Sequence, residues 1–204
     1  MFSSAEPEFA ALYRIYSEAH PPSERKGHGT LSAMIARPEY FFLVVIDDEA
    51  VVGFSIANCF VDSDAALLEY MAIDSRHRGR GLGGFVFGET VGFLNLSERF
   101  ILIEIDSDKA PSADQDQHSR RKAFYRRLGC REIEGLSFIM PRVAEAQPPA
   151  MELMVYRREL PASIAKSRIR NWLENCYIQV YQKPRDDRRI SAMIDELPVE
   201  VRLL

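Results

Sequence analysis

Between Ala72 and Glu89 the chain reads AIDSRHRGRGLGGFVFGE. Arg76, Arg78 and Arg80 are interleaved with Gly79, Gly81, Gly83 and Gly84, and an apolar run with helical spacing follows. Glycine tolerates unusual dihedrals and leaves room, so successive backbone N–H groups can point into one cavity. A helix start adds the positive end of its dipole, and the arginines raise the local potential. Such a stretch binds an anion, most often a phosphate. Two more positions carry chemistry. Glu69 in LLEYMAID and Glu104 in ILIEID are acids inside otherwise apolar runs. Burying a carboxylate is costly, so each faces a cleft or has a partner. Desolvation would raise its pKa toward usefulness as a general base.

The surrounding pattern says which elements hold these residues. EFAALYRIYSEAH places Phe9, Leu12, Ile15 and Tyr16 at helical spacing. PPSERKGHG breaks that helix, and TLSAMIARPEY predicts a second, short one ending before Pro38. YFFLVVIDD, AVVGFSIANCFV and AALLEYMAID read as strands, the first two joined by a tight turn at DDEA. The third strand feeds the Arg/Gly loop, and LGGFVFGETVGFLNLS after the loop predicts a helix. RFILIEID reads as a buried strand and SDKAPSADQDQ as a loop. HSRRKAFYRRLG reads as a helix capped at Gly129. CREIEGLSFIMP and MELMVYRR predict two last strands, linked by RVAEAQPPA. From Pro161 onward the character changes. Ile169, Trp172, Leu173, Cys176 and Val180 fall near one helix face, and a short helix is expected around Arg189 to Glu196. Hairpins come first and no repeating βαβ unit follows, so the fold class is mixed α+β rather than a doubly wound parallel sheet.

Bulk properties narrow the function. The 204 residues suit one domain, or one domain with an appendage, and 47% hydrophobic content is ordinary for a globular chain. A net charge of −4 gives no overall pull toward nucleic acid or an anionic membrane. The arginines of SRRKAFYRRLGCR spread around their helix with little aromatic interleaving, which argues against RNA. Apolar runs are too short for a membrane span, the first residues do not read as a secretory leader, and Cys59, Cys130 and Cys176 form no metal or disulfide pattern. A reducing cytoplasm is the expected compartment, with buried structural thiols and no metal.

Three phosphate loops compete. A Walker loop needs GK followed by Ser or Thr, which the glycine stretch lacks. Gly79, Gly81 and Gly84 do spell GxGxxG, and Glu104 lies about 20 residues on, where a ribose partner would sit. That fingerprint should follow its strand directly, yet DSRHR intervenes, so a dinucleotide-dependent oxidoreductase is a distant alternative. The third option counts Arg78: RGRGLG fits Gln/Arg-x-x-Gly-x-Gly/Ala.

With that loop, the preceding LEYMAID strand, the later AFYRRLGC segment and the element order over about residues 5 to 158, the chain resembles the GNAT superfamily of acetyl-CoA-dependent N-acetyltransferases. The resemblance implies a central, mostly antiparallel twisted sheet flanked by helices. It implies a GNAT domain over residues 1–160, leaving 161–204 as a helical extension packed on the domain or on a partner subunit, with a homodimer in view. Acetyl-CoA would be the cosubstrate. Its pyrophosphate would lie on Arg78, Gly79, Arg80, Gly81, Leu82, Gly83 and Gly84, and its pantetheine arm would pair with the backbone of Met71, Ala72 and Ile73 at an opened sheet edge, commonly arranged by a bulge. Tyr125 occupies the family's tyrosine position and would act as general acid toward the departing thiolate. Glu104 or Glu69 would be the base, with Glu104 preferred. The acceptor would be a small-molecule or peptide amine. The sequence departs from the family where an asparagine often stands seven residues before the tyrosine; here it is His118, within a longer link. A GNAT module that binds acyl-CoA without turnover is the other reading.

Overall fold

The computed structural model describes residues 3–22, 24–94, 98–109, 114–142 and 148–204. Two helices open the chain, α1 (Pro7–Ala19) and α2 (His28–Met34). Three strands follow, β1 (Tyr40–Asp47), β2 (Ala50–Cys59) and β3 (Ala65–Ile73). Asp48 and Glu49 take positive φ of 46° and 63° at the β1–β2 turn. A short 3-10 turn at Ser75–His77 leads into α3 (Leu82–Leu94), then β4 (Phe100–Asp106) and α4 (Gln115–Arg127). The rest comprises β5 (Arg131–Glu132), β6 (Met151–Tyr156), β7 (Ser163–Ala165), α5 (Lys166–Asn175) with a π turn at Cys176–Val180, α6 (Arg188–Ile194) and β8 (Glu200–Arg202).

Six strands form one sheet in the order β1-β2-β3-β4-β6-β5, and every pair is antiparallel except β3 with β4. The mixed α+β class and the mostly antiparallel sheet expected from the sequence are therefore present. One face packs under α3 and α4, through Leu68, Ile101 and Ile103 against Phe87, Val91 and Tyr125. The other face is shared. Helices α1 and α2 cover Phe54, Ile56 and Tyr70, while the C-terminal segment covers Leu67, Phe100, Leu102, Leu153 and Val155.

That segment is no loose appendage. Trp172, Leu173, Tyr177 and Ile194 are buried in one cluster with the sheet, and the Trp172 indole N–H donates to Asp64 over 2.8 Å. The backbone of Leu204 exchanges hydrogen bonds with Glu132. Beyond a helix, the segment contains the small β7–β8 pair, which the sequence reading lacked. The strand expected over residues 130–141 shrinks to Arg131–Glu132 plus bridges at Ile133 and Phe138. Gly135, at φ +76°, turns the chain there. Lys122 of α4 is buried between Asp108, Glu132 and Glu152 at 2.8–3.0 Å, which pins α4 to the end of the sheet.

Candidate active site

Strands β3 and β4 pair in parallel from Ala65↔Phe100 to Leu68↔Ile103 and then part. Glu69 and Glu104 stand at the next step on each strand, where the sheet opens. Past that point β3 keeps its β2 partners, Ser55↔Met71, Phe54↔Ala72 and Gly53↔Ile73, so its other edge faces a cleft. The β2–β3 register slips between Ile56↔Tyr70 and Ala57↔Leu68, leaving Glu69 as the extra residue of a bulge. A bulge re-aims side chains and bends its strand. Glu69 and Tyr70 both reach the α1–α2 connection: Glu69 Oε1 pairs with Lys26 Nζ, and the Tyr70 hydroxyl donates to the Glu24 carbonyl over 3.0 Å.

The cleft beside Met71–Ile73 continues along the Arg/Gly loop. Met71, Ala72, Ile73, Arg78, Gly79, Gly81, Leu82, Gly83 and Gly84 all border it, facing Gln117, Arg120, Arg121 and Phe124 of α4. Gly79 and Gly81 take φ of +80° and +77°, a backbone that glycine adopts without strain. The first-turn N–H groups of α3 open on the same space. The three arginines divide. Arg76 forks onto Asp74, with Nε 3.0 Å from Oδ1 and a terminal nitrogen 2.8 Å from Oδ2. Arg80, expected among the phosphate residues, turns away to Asp47 at 2.9 Å. Arg78 stays exposed on the cleft rim. Asp74, held by Arg76 and Arg14, is kept well below the usual carboxylate range and caps the 3-10 turn. This residue positions the loop and has no equivalent in the sequence reading.

A second, smaller chamber of about 60 Å³ meets the cleft at His20, Met71, Arg121 and Tyr125. Glu24, Glu69, Glu104 and Tyr181 also border it. Glu104 lies on β4 with its carboxyl held by the C-terminal segment: the Tyr181 hydroxyl donates to Oε2 over 2.5 Å and the Cys176 thiol to Oε1 over 3.5 Å. Desolvation pushes Glu104 up to about 7; the Tyr181 hydrogen bond opposes that rise and the charge of Glu69 adds to it. Burial also pushes Glu24 up to about 7, helped by Asp106. Tyr125 is buried on α4, edge-on to Phe87 at 5.8 Å between centroids, and desolvation raises its pKa, so the phenol remains a proton donor. The His20 ring nitrogen Nδ1 sits 3.1 Å from the Tyr16 carbonyl, which fixes it as the donor. Burial lowers His20 to about 4, so the ring is neutral near pH 7.

The structure thus brings Tyr125, Glu69 and Glu104 to one chamber and nine of the ten expected cofactor positions to the adjoining cleft, Arg80 excepted. His118 lies on α4 three residues before Arg121 with a buried Nδ1 that has no partner, and it borders neither cavity. Part of the long link, residues 110–113, lies outside the described residues. Glu24, His20 and Tyr181 were missed.

The cleft bordered by the glycine loop thus meets the acid-lined chamber at Tyr125. Residues 38–132 match the family profile described as an acetyltransferase (GNAT) domain. Over those residues the chain is similar to a GNAT acetyltransferase domain. A protein of Bacteroides thetaiotaomicron assigned to the GNAT acetyltransferases superposes with a TM-score of 0.72 at 20% identity, covering 88% of this chain and 96% of its own. That coverage exceeds what residues 1–160 alone could supply, so the likeness extends into the C-terminal segment. The ribosomal-protein-S18-alanine N-acetyltransferase of Escherichia coli gives 0.55 at 18% identity, over 76% of this chain and 92% of its own. An aminoglycoside 6′-N-acetyltransferase complexed with coenzyme A gives 0.55 at 16%, over 78% and 96%. These likenesses show the shared GNAT fold. No curated protein sequence matches the chain. Among the described residues, no helix is long and apolar enough to cross a membrane, and no cluster of potential metal ligands occurs.

Proposed function

We propose that the protein transfers acetyl from acetyl-CoA directly to an amine. The observation that carries this reading is the junction at Tyr125, where a cleft with glycine-loop and open-strand walls meets a chamber lined by carboxylates. N–H groups of the Arg78–Gly84 loop and the α3 start hold the pyrophosphate, with Arg78 adding charge. The free edge of Met71–Ile73 pairs with the pantetheine amides as an added strand would. This brings the thioester to the mouth of the chamber.

Glu104 is the preferred base. No basic side chain among the described residues pairs with it, whereas Lys26 already neutralises Glu69. The Glu104 carboxylate takes a proton from the acceptor ammonium. The freed nitrogen attacks the thioester carbonyl carbon, and the carbonyl electron pair moves to oxygen. Collapse breaks the C–S bond, and the Tyr125 hydroxyl gives its proton to the leaving thiolate. The second nitrogen proton replaces it by way of solvent, so one proton leaves overall. The residues 161–204, through Cys176 and Tyr181, belong to the catalytic unit rather than to a separate module.

The test is thermal melting with acetyl-CoA, desulfo-CoA and NADH, beside an Arg78→Glu, Gly81→Glu variant. A ligand that binds only the folded state raises the melting temperature. Stabilisation by both coenzyme A compounds, lost in the variant, is the expected result. A shift with NADH alone defeats the reading. Protection by acetyl-CoA with no product from any amine assigns the chain to the non-catalytic acyl-CoA-binding class.

A further inference from the structure

The acceptor chamber gathers acidic side chains. Glu24, Glu69 and Glu104 border it, and Asp106 stands behind. The cations nearby are already engaged. Lys26 pairs with Oε1 of Glu69, Arg121 with Asp106 at 2.5 Å, and Arg25 donates to the Ser17 carbonyl at 2.9 Å. Glu24 and Glu104 are left without a basic partner among the described residues. A second observation is independent of that count. The Glu69 side chain is only 4% exposed, yet its Oε2 is buried with no hydrogen-bond partner. An unpartnered buried carboxylate oxygen costs free energy that a donor from the ligand would recover. Leu68, Met71, Met140 and Met151 contribute apolar surface to the same chamber.

Catalysis by the reading above, on which this inference rests, needs one carboxylate. A monoamine would leave the other acidic groups facing its hydrocarbon tail. An acceptor with a carboxylate would meet like charge. We propose that the acceptor is a small diamine or polyamine: one nitrogen is acetylated, and a second, still protonated, is held by Glu69 Oε2 with Glu24 beside it. The chamber's Leu and Met surface suits the methylene spacer between the two nitrogens.

The test is calorimetric binding of 1,5-diaminopentane, pentylamine and 5-aminopentanoate to the full chain at pH 8, with and without desulfo-CoA. The diamine is expected to bind at least about tenfold more tightly than pentylamine, the size of one charge-assisted hydrogen bond. The aminopentanoate should bind more weakly than pentylamine. Glu24→Gln should reduce the diamine's advantage over pentylamine, and Glu69→Gln should reduce it further. Equal binding of diamine and pentylamine, or none of either, overturns the inference and leaves acyl-CoA binding untouched. Preference for the aminopentanoate overturns it too. Tight diamine binding in a protein that acetyl-CoA does not stabilise keeps the inference and defeats the proposed function.

Discussion

The hydroxyl of Tyr181 lies 2.5 Å from Oε2 of Glu104, joining residues 77 positions apart. One is the last tyrosine of the C-terminal segment, the other the acid in the middle of β4. Tyr181 is packed in the buried C-terminal cluster and Glu104 is strongly desolvated, so loss of the bond is costly. Because Tyr181 donates, it favours the carboxylate form of Glu104 and restrains the rise that burial imposes.

Removing that donor should therefore raise the Glu104 pKa. Tyr181→Phe is expected to shift the lower limb of the pH profile of kcat/KM upward from about 7, with the loss of rate shrinking at high pH. A purely structural role would lower the rate equally at all pH values. Cys176→Ala should shift the same limb in the same direction by less, given its 3.5 Å contact.

Glu104 also links stability to pH. Its folded pKa, about 7, lies above the ordinary carboxylate value, so the native state holds a proton that the unfolded state releases. Its stabilising contribution is complete below the unfolded value of about 4.3 and is lost as pH rises through 7, to the extent of at most a few kcal/mol. Glu24 acts in the same direction. Urea denaturation at a series of pH values should show stability falling between pH 4.5 and 8 in the wild type. The slope should flatten in Glu104→Gln, which should also abolish the lower limb of the rate profile. An unchanged rate in Glu104→Gln would transfer the base role to Glu69 or to water.

Much of this was legible in the sequence, for physical reasons. Glycines at Gly79 and Gly81 announce a backbone that other residues resist, and a lone acid in an apolar run such as ILIEID announces a carboxylate with a task. The succession of strands along the chain followed from β-branched and aromatic runs and turn residues. Residues that act through tertiary contact left no such trace. Glu24 sits in a Pro- and Gly-flanked loop without periodicity, and only the Glu69 bulge and the Tyr70 hydroxyl bring it to the chamber. Tyr181 ends a helical apolar stripe and reads as one more core aromatic. Arg80 and Arg78 look alike in RGRGLG; a single ion pair to Asp47 separates their directions.

Tyr125→Phe isolates the leaving-group step. The ring's contacts with Phe87 and Phe124 persist, so the fold and the acetyl-CoA-induced rise in melting temperature should be retained. kcat should fall by about 10²-fold or more, the usual contribution of a positioned acid. A thioester with a more acidic thiol needs less proton transfer, so a nitrophenyl-type thioester analogue should recover part of the loss. An undiminished kcat with acetyl-CoA would remove Tyr125 from the chemistry.

The C-terminal segment supplies core contacts and holds the carboxyl of Glu104, the proposed base, so its removal should abolish folding rather than trim activity. Trp172 is fully buried, packs 4.9 Å from the Phe100 ring and ties α5 to Asp64 at the β3 start. Trp172→Ala should cost about 3–5 kcal/mol, the usual penalty for emptying a large aromatic site. Asp64→Asn keeps the shape and a hydrogen-bond acceptor for the indole, and should cost much less. A chain ending at residue 160 would expose Leu67, Leu102 and Val155 together. It should be recovered as an aggregate or a partly folded state, read by a non-cooperative denaturation curve. A cooperative transition with wild-type acetyl-CoA protection in the truncated chain would instead show that residues 161–204 are a separable addition to a domain that folds alone.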